Sequence, residues 1–458
     1  MHHTDHIIPS EPRPLPPDGA LYFVGIGGAG MSAIAQVLAE RGRTIRGADP
    51  GISATVKARL EAVGATIYTA HDAAQVAADV SAVVVSDAIP QANPEVIAAK
   101  EQGIPIYRRP EVLGAIVNAG RGIAIAGTHG KTTTTGMVAS ILMAANLDPT
   151  VLIGGDLPLI GGNARNGKGE FVVAESCEAY DGFLYLHPEI AVILNIEADH
   201  LDYHGTEQHV FDSFERFIGQ VVMDGTVVFC ADDEKTNRVV GVNVPGWADK
   251  LTYSVRDKMG VDFVASDIRR QQTGQVFDVF VLDEPWGIIT LQVPGTHNAS
   301  NALAALAVAE QLGIDRSAIR AGLESFTGTG RRFERLGEVG GVTVIDDYAH
   351  HPTELRATLS AARSAFPGRR IVAVFQPHLP SRTRDLMGEF AAALAFSSDV
   401  APTPPPPLRR RGGSKEFRDW HTRQPPRRTN SPLSCGAGEG GWGGGGDIRR
   451  KRQSRLPH

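Results

Sequence analysis

The sequence predicts an α/β fold with parallel sheets, divided into three domains. The chain has 458 residues, and short apolar stretches alternate with segments of helical pattern along most of it. Two glycine-rich turns, at residues 25–30 and 127–133, each follow an apolar run and precede a helical pattern. Strands that alternate with helices form doubly wound parallel sheets. A glycine turn between a strand and a helix lets backbone N–H groups approach a phosphate group closely.

The first domain is predicted to span residues 20–118, with strands at residues 21–24, 44–49, 82–86 and 104–107. The turn after the first strand has the spacing G-x-G-x-x-G, which is a weak signal for a pyrophosphate site. Two ligands fit it: a dinucleotide such as NAD with Asp49 on its ribose, and a UDP-linked sugar. The candidate residues are Gly25, Gly27, Gly28, Gly30 and Ser86, where Ser86 closes the third strand.

The second domain is predicted to span residues 119–328 and to begin with a phosphate-binding loop. A strand at residues 122–126 precedes the loop, and a helical pattern covers residues 137–142. In such a loop the lysine reaches the terminal phosphates and a threonine hydroxyl can bind Mg²⁺. Ile125 stands where the full P-loop pattern has glycine. The predicted ATP-binding residues of the loop are Gly127, Thr128, His129, Gly130, Lys131, Thr132 and Thr133.

Acidic and histidine side chains follow two further predicted strands, at residues 171–174 and 190–194. Glu175 and Glu178 come after the first strand, and His200 comes after the second. Carboxylate oxygens at the carboxyl ends of parallel strands suit Mg²⁺, and a neutral histidine can add a nitrogen ligand. The predicted metal ligands are therefore Thr132, Glu175 and His200, while Glu178 alone is equally explained as a solvent-exposed residue.

Polar residues also follow an antiparallel-looking stretch at residues 261–293. His297, Asn298 and Asn301 stand at the start of a helix predicted for residues 301–312, and helix capping is an alternative explanation for Asn298.

The third domain is predicted to begin at residue 329, with strands at residues 342–346 and 371–375 around a helix at residues 353–365. Tyr348 and His350 follow the first strand, and Asp347 beside them can be explained as a helix cap. His378 and Arg382 follow the second strand, where a helix start with exposed arginines is the alternative.

Composition excludes several classes of protein. Residues 401–458 carry 13 basic and 4 acidic side chains, so the preceding 400 residues hold a net charge of −15 within an overall charge of −6. An acidic body argues against nucleic-acid binding. The three cysteines have no disulfide or metal spacing, and no apolar run is long enough for a membrane span. We therefore expect a cytoplasmic protein, without nucleic-acid or membrane partners, as a monomer or homodimer.

The two ends of the chain have a different composition. Residues 1–19 are rich in proline and are predicted as a disordered leader, and residues 401–458 contain 9 Pro and 10 Gly without apolar periodicity. Such a segment buries too little surface to offset the entropy lost on ordering. The Pro/Arg/Gly composition of the tail is typical of out-of-frame translation of a GC-rich coding sequence.

Taken together, the motifs resemble the Mur ligases of bacterial peptidoglycan synthesis. The matching segments occur in family order over residues 21–400. They are VGIGGAGMS (24–32), SDAIPQANPE (86–95), AGTHGKTTTT (126–135), LNIEADHLDYHG (194–205), PGTHNASNALAA (294–305), GRRFE (330–334), DDYAHHPTE (346–354) and FQPH (375–378).

The resemblance implies a Rossmann-like N-terminal domain, a central P-loop ATPase domain and a Rossmann-like C-terminal domain at residues 329–400. It implies ATP and Mg²⁺ as cofactors, and UDP-N-acetylmuramate and L-alanine as substrates joined through an acyl phosphate. A ligase of the same family that attaches a whole tripeptide is one alternative. Because the family pattern stops after Val400, we expect an incomplete third domain, and an inactive nucleotide-binding remnant is the other alternative.

The resemblance also implies roles for single residues. Catalytic roles fall to Lys131, Glu175, His200, His350 and His378, and contacts near the adenine, ribose and phosphates of ATP to His297, Asn298, Asn301 and Arg332. Substrate contacts fall to the four glycines of the first turn, Tyr348 and Arg382. One departure concerns residues 175–180, which read ESCEAY where the family has EADESD, so that Cys177 replaces an acid.

Overall fold

The computed structural model describes residues 13–256, 259–271, 274–377, 380–397 and 399–402. Most of the predicted leader, nearly all of the predicted tail, His378 and Cys435 lie outside the described residues. The predicted α/β class with parallel sheets is confirmed. No helix in these described ranges combines the length and apolarity needed to cross a bilayer.

The first domain is a five-stranded parallel sheet with the strand order β3-β2-β1-β4-β5. The order reverses between β1 and β4, so the carboxyl ends of these two strands form the crevice where such sheets bind ligands. Its elements are β1 (Ala20–Val24), α1 (Ala29–Glu40), β2 (Ile45–Ala48), α2 (Ala54–Ala62), β3 (Thr66–Tyr68), the 3-10 helix Ala73–Gln75, β4 (Val80–Val85), α3 (Pro94–Glu101), β5 (Ile106–Arg108) and α4 (Arg109–Val117).

Two features of this domain differ from the sequence predictions. The strand β3 was not predicted, because three residues are too few to show a periodicity. Arg13 and Pro14 fall inside the predicted leader, yet the Arg13 guanidinium lies over the ring of Tyr107 and the Tyr107 hydroxyl donates to the Pro14 carbonyl at 2.7 Å. These two residues therefore pack on the first domain.

The central domain is built on a ten-stranded sheet with the order β15-β14-β13-β12-β11-β10-β6-β9-β7-β8. The predicted antiparallel stretch forms β13, β14 and β15. The elements are β6 (Arg121–Ala126), α5 (Lys131–Ala144), β7 (Thr150–Leu157), the 3-10 helix Pro158–Ile160, β8 (Gly162–Arg165), β9 (Phe171–Glu175), the 3-10 helix Ala179–Tyr185, β10 (Ile190–Ile193), α6 (Leu201–His204), α7 (Glu207–Ile218), β11 (Thr226–Cys230), α8 (Glu234–Asn243), β12 (Asp249–Ser254), β13 (Phe263–Gln271), β14 (Gly274–Val281), β15 (Glu284–Leu291), α9 (Thr296–Gln311) and α10 (Arg316–Ser325).

Both faces of the parallel part of this sheet are buried, as expected when helices cover both sides. Alternate residues of β6 show this. Ile123 and Ile125 belong to a core that includes α5, α9 and α10, whereas Ala124 and Ala126 belong to a second core that includes α7 and α8. The central strand is thus held from both sides, and the loop that follows it starts from a fixed position.

The third domain contains a hairpin, a parallel strand pair and three helices. The helix α12 (Pro380–Asp385) begins where a helix start was the alternative explanation, and α13 (Met387–Leu394) was not predicted. A short strand at the end of the described part, β19 (Asp399–Pro402), pairs in parallel with β18 (Val372–Phe375). The elements are β16 (Glu334–Val339), β17 (Val342–Asp346), α11 (Pro352–Ala365), β18 (Val372–Phe375), α12 (Pro380–Asp385), α13 (Met387–Leu394) and β19 (Asp399–Pro402).

Strands of the third domain expose apolar side chains that strands of the first domain bury. Val374 in β18 is 67 % exposed, and Val342 and Val344 in β17 are also exposed. Val84 occupies a comparable position in β4 of the first domain and is fully buried. Among the described residues, the core of the third domain is accordingly small, with Leu355, Phe390 and Ala393 at its centre.

This contrast predicts different costs for the same substitution in two parallel strands. Val84→Ala should lower the free energy of unfolding by about 1–3 kcal/mol, because it leaves a cavity in a packed core. Val374→Ala should change it by less than about 0.5 kcal/mol. Urea unfolding followed by circular dichroism measures both, and equal losses would show that the β18 face is covered in solution.

Candidate active site

The candidate site is positioned by the central strand β6 and its two parallel neighbours. β6 pairs with β9 so that Ile125 lies opposite Glu175, and it pairs with β10 so that Ala126 lies opposite Ile193. Since all three strands run in the same direction, their carboxyl ends meet at one edge of the sheet. The phosphate loop, Glu175 and Asn195 are brought together there.

The phosphate loop needs glycine at two positions. Gly127 and Gly130 have φ angles of 130° and 86°, which other residues rarely adopt. A Cβ atom on Gly130 would also lie 2.7 Å from the Asn301 Oδ1. The loop is held from β10 by Asn195, which accepts from the His129 N–H at 2.8 Å and donates to the His129 carbonyl at 3.0 Å. Asn195 was not predicted as a site residue, although it stands inside the segment LNIEADHLDYHG (194–205).

Lys131 is almost buried at the start of α5, where its side chain is 12 % exposed. Its ammonium donates to the carbonyls of Gly127 and Thr128 and to the Glu178 carboxylate, the last at 2.9 Å. Burial opposes the charge, but the neighbouring Glu178 carboxylate raises the pKa of Lys131 above its ordinary value. Glu178 is therefore the buried counter-ion of the loop lysine, and its explanation as a solvent-exposed residue is wrong.

Two of the three predicted metal ligands contact each other directly. The Thr132 hydroxyl donates to the Glu175 carboxylate at 2.9 Å, and the Gly154 N–H donates to the same oxygen at 2.8 Å. His200 adopts a left-handed backbone conformation with φ of 54°, and its Nε2 lies 3.8 Å from the Asp199 carboxylate. Within the described part of the chain, no hydrogen bond or ion pair joins His200 to Thr132 or Glu175.

A cavity of about 250 Å³ beside the loop brings together most of the predicted nucleotide residues. Thr353, Glu354 and Asp347 of the third domain also line it. Its lining includes His129, Gly130, Thr132, Thr133, His297, Asn298, Asn301 and Arg332.

The helix α9 starts five residues earlier than predicted, and this changes the explanation of Asn298. Gly295 occupies the N-cap position, so the capping alternative for Asn298 is wrong. The Asn298 amide instead donates to the Pro294 carbonyl at 2.7 Å and accepts from Asn301 at 3.3 Å. His297 lines the same cavity and is exposed to it.

Charged side chains link the loop to the third domain through His129. Its Nε2 lies 3.4 Å from the Glu197 carboxylate, and its Nδ1 lies 3.3 Å from the Glu354 carboxylate of α11. Burial alone would lower the pKa of His129, but these two carboxylates raise it to about 9. Glu197 and Glu354 were not predicted as site residues, although both stand inside motifs noted in the sequence.

The predicted residues of the third domain gather around a second link to the central domain. Arg382 is buried and donates to the Asp199 carboxylate at 2.7 Å, so the expectation of an exposed arginine is wrong. The rings of Tyr348 and His350 stack edge to face, with centroids 5.1 Å apart. Asp347 does not cap α11, because His351 holds the N-cap position.

The glycine turn of the first domain is stabilised by Asp49. Its carboxylate accepts from the Gly27 N–H at 2.9 Å and from the Gly51 N–H at 2.7 Å. These bonds explain the acid at position 49 without NAD, because Asp49 orders the backbone of the turn. The turn, with Gly25, lies at the carboxyl ends of β1 and β4, where Ser86 also lies.

A cavity of about 210 Å³ joins this turn to the central domain. Gly30 and Arg109 of the first domain line it together with Gly154, Glu175 and Cys177. Glu175 therefore faces both the phosphate loop and the first domain, and Cys177 lies next to it.

Sequence comparison covers all three domains with profiles of one family. Residues 20–121 match the profile described as Mur ligase family, catalytic domain, and residues 125–309 match the Mur ligase middle domain. Residues 331–411 match the profile described as Mur ligase, glutamate ligase domain. The chain belongs to the Mur ligase family.

Individual Mur ligases are similar over most of their length. UDP-N-acetylmuramate–L-alanine ligases from Desulforamulus reducens and Burkholderia ambifaria are 44 % and 46 % identical, over 81 % and 82 % of this chain and 80 % of each relative. The crystal structure of the UDP-N-acetylmuramate–alanine ligase from Thermotoga maritima superposes with a TM-score of 0.73 at 31 % identity, covering 84 % of this chain and 85 % of that one.

The geometry of the phosphate loop predicts the effect of a methyl group at Gly130. Gly130→Ala should weaken ATP binding at least tenfold, because the Cβ would displace Asn301 in the nucleotide cavity. Gly161→Ala is the matched control, since Gly161 also has a positive φ of 67° but no atom within 4 Å of the added Cβ. The free energy of unfolding of the Gly161→Ala variant should fall by about 1 kcal/mol, and its affinity for ATP should not change. Titration calorimetry with ATP distinguishes the two.

The buried pair between Lys131 and Glu178 predicts a large loss of stability when one partner is neutralised. Glu178→Gln should lower the free energy of unfolding by about 3 kcal/mol, because the lysine then stays buried without a counter-charge. Glu170→Gln is the control, because Glu170 pairs with Arg121 at the exposed surface and should cost less than about 1 kcal/mol. Similar losses in urea unfolding would contradict the role given to Glu178.

Proposed function

We propose that the chain joins L-alanine to the carboxylate of UDP-N-acetylmuramate in the cytoplasm, as a step in peptidoglycan precursor synthesis. The observation that carries this proposal is the identity of 44–46 % with ligases of that name over four fifths of the chain. The reaction consumes ATP and releases ADP and phosphate.

ATP is proposed to lie with its phosphates on residues 127–133 and its base in the cavity beside α9. Gly127 and Gly130 support this proposal, because their positive φ angles shape the loop. A side chain at Gly130 would also enter the cavity. Arg332, which lines the cavity, supplies a positive charge on the side of the third domain. His297, exposed in the lining of the cavity, can place a ring nitrogen toward the base.

Mg²⁺ is proposed to bind at Thr132 and Glu175. Their hydroxyl and carboxylate oxygens are hard ligands, and their separation of 2.9 Å suits two ligands of one small cation. A bound Mg²⁺ would neutralise charge on the transferring phosphoryl group. His200, the third predicted metal ligand, is proposed to bind a second Mg²⁺.

The sugar nucleotide is proposed to bind at the crevice of the first domain. Gly25, Gly27, Gly28 and Gly30 would face its pyrophosphate, with Ser86 on the neighbouring strand end. The cavity from Gly30 to Glu175 then gives the muramoyl carboxylate a path to the γ-phosphate of ATP.

In the first step the muramoyl carboxylate attacks the γ-phosphorus, and the bond to the β–γ bridging oxygen breaks, releasing ADP. Because a carboxylate is a poor electrophile, transfer of the phosphoryl group creates the leaving group that the second step needs. Lys131 would move from Glu178 and the loop carbonyls toward the phosphates and stabilise the charge that develops on them.

In the second step the uncharged amine of L-alanine attacks the acyl carbon, and phosphate leaves from the tetrahedral intermediate. His350 is proposed to accept the amine proton. Its Nδ1 lies 2.8 Å from the Tyr348 carbonyl, and burial lowers its pKa, which favours the neutral ring that a proton acceptor needs. Tyr348, Arg382 and His378 are proposed to hold the amino acid and the muramoyl end, and His378 lies outside the described residues.

Phosphate release tests the proposal directly. Purified protein of confirmed mass, with ATP, Mg²⁺ and UDP-N-acetylmuramate, should release phosphate only when L-alanine is added. Lys131→Ala should lower the rate at least 100-fold, because the charge on the phosphoryl group loses its cation.

Three other results would each indicate a different function. Release that depends on the peptide L-alanyl-γ-D-glutamyl-meso-diaminopimelate, and not on L-alanine, would indicate the tripeptide ligase. ATP binding without release would indicate a non-catalytic remnant, in keeping with the exposed valines of the third domain. NAD binding without ATP binding would indicate a dehydrogenase.

A further inference from the structure

A second group of metal-ligating side chains lies between the central and third domains, apart from Thr132 and Glu175. It consists of His129 from the phosphate loop, Glu197 from the segment after β10, and His351 from the start of α11. One ligand atom from each residue lies within 4.8 Å of the other two. Among the described residues, no other group of three histidine, cysteine or acidic side chains meets that distance.

The distances within this group fit a single small cation. The His129 Nε2 and the His351 Nδ1 each lie 3.4 Å from the same oxygen of Glu197. Zinc bonds to histidine nitrogen and carboxylate oxygen measure about 2.0–2.2 Å, so two ligands at a tetrahedral angle stand roughly 3.4 Å apart. The two separations from Glu197 are thus those of ligands around one tetrahedral ion, and the two histidine nitrogens lie within 4.8 Å of each other.

The surroundings supply the outer contacts that metal-bound side chains use. The second ring nitrogen of His129 faces the Glu354 carboxylate at 3.3 Å, which is the carboxylate–histidine arrangement found behind many metal ligands. The Thr353 hydroxyl donates to the Glu197 carboxylate at 2.9 Å and fixes its orientation. Both outer partners come from α11, so the ligands and their supports span two domains.

Two observations independent of these distances point to a ligand. The His129 Nε2 is buried and makes no aligned hydrogen bond, although it forms an ion pair with Glu197 at 3.4 Å. A buried polar nitrogen left in this way is rare in proteins. His129 and Glu197 also line the cavity of about 250 Å³, which gives room for a fourth ligand.

We propose that His129, Glu197 and His351 form a binding site for a transition-metal dication of the Zn²⁺ type, which would displace the proton of His129 and the long 3.4 Å contact from the Thr353 N–H to the His351 Nδ1. Two imidazoles and one carboxylate favour such an ion over Mg²⁺, which prefers oxygen ligands. The fourth position faces the nucleotide cavity, open to water or a phosphate oxygen. Because His351 belongs to the third domain and the other two ligands to the central domain, a bound ion ties these domains together.

The proposal does not depend on the proposed ligase reaction, and zinc binding tests it without nucleotide. The full chain with His2, His3 and His6 each changed to Gln serves as the parent protein, because these residues could bind zinc independently. Titration calorimetry with ZnCl₂ should show one ion per chain at micromolar concentration. Millimolar MgCl₂ should not displace it, and Co²⁺ should give the visible absorption of a tetrahedral site.

Variants of the parent assign the bound ion to its ligands. His129→Gln and His351→Gln should each weaken zinc binding at least 100-fold. His187→Gln, which changes a partly buried histidine outside the group, should leave it unchanged. Glu175→Gln should also leave it unchanged, which separates this site from the proposed Mg²⁺ site.

Several results would overturn the proposal. Absence of zinc binding by a parent protein with a native circular dichroism spectrum would show that the three residues form only an ion-pair cluster. Zinc binding that survives both His129→Gln and His351→Gln would place the ion elsewhere. Loss of zinc binding in Glu175→Gln, with His351→Gln unaffected, would assign it to the proposed Mg²⁺ site.

Discussion

The site depends on the parallel pairing of β6 with β9 and β10. A strand buried on both faces cannot shift its register by one residue without exchanging its isoleucines and alanines between two cores that are packed for different side-chain volumes. This constraint fixes where each strand ends, and therefore where Gly127, Glu175 and Asn195 stand relative to one another. The short polar segments beyond these ends have little structure of their own and take their positions from the sheet.

Burial of charge is the second constraint, and it follows from the first. The edge of the sheet is enclosed by the first and third domains, so the cations placed there need partners within the protein. Lys131 forms an ion pair with Glu178, and His129 pairs with Glu197 and Glu354. Arg382 pairs with Asp199. The pairs of His129 with Glu354 and of Arg382 with Asp199 join the central domain to the third domain. Pairing of buried charges therefore also holds these domains against each other.

Much of the fold was predictable, because its strands are short, apolar and bounded by glycine or polar residues. β6 and β9 were predicted within one residue. The failures have physical causes. β3 is too short for a periodicity, and α12 and α13 are helices of six and eight residues, also short for a helical pattern. The position of the start of α9 was missed because its first turn consists of polar residues that also suit a loop.

The sequence by itself determined the family, the phosphate loop and the residue types of the site, because these depend on local spacing around glycine, lysine and threonine. Only the tertiary structure decided which charges meet. Glu178 became the partner of Lys131, Arg382 became buried, and Glu197 joined His129 and His351 from segments more than 60 residues apart. Contacts between distant segments depend on how the sheets and domains pack, and no local pattern encodes that packing.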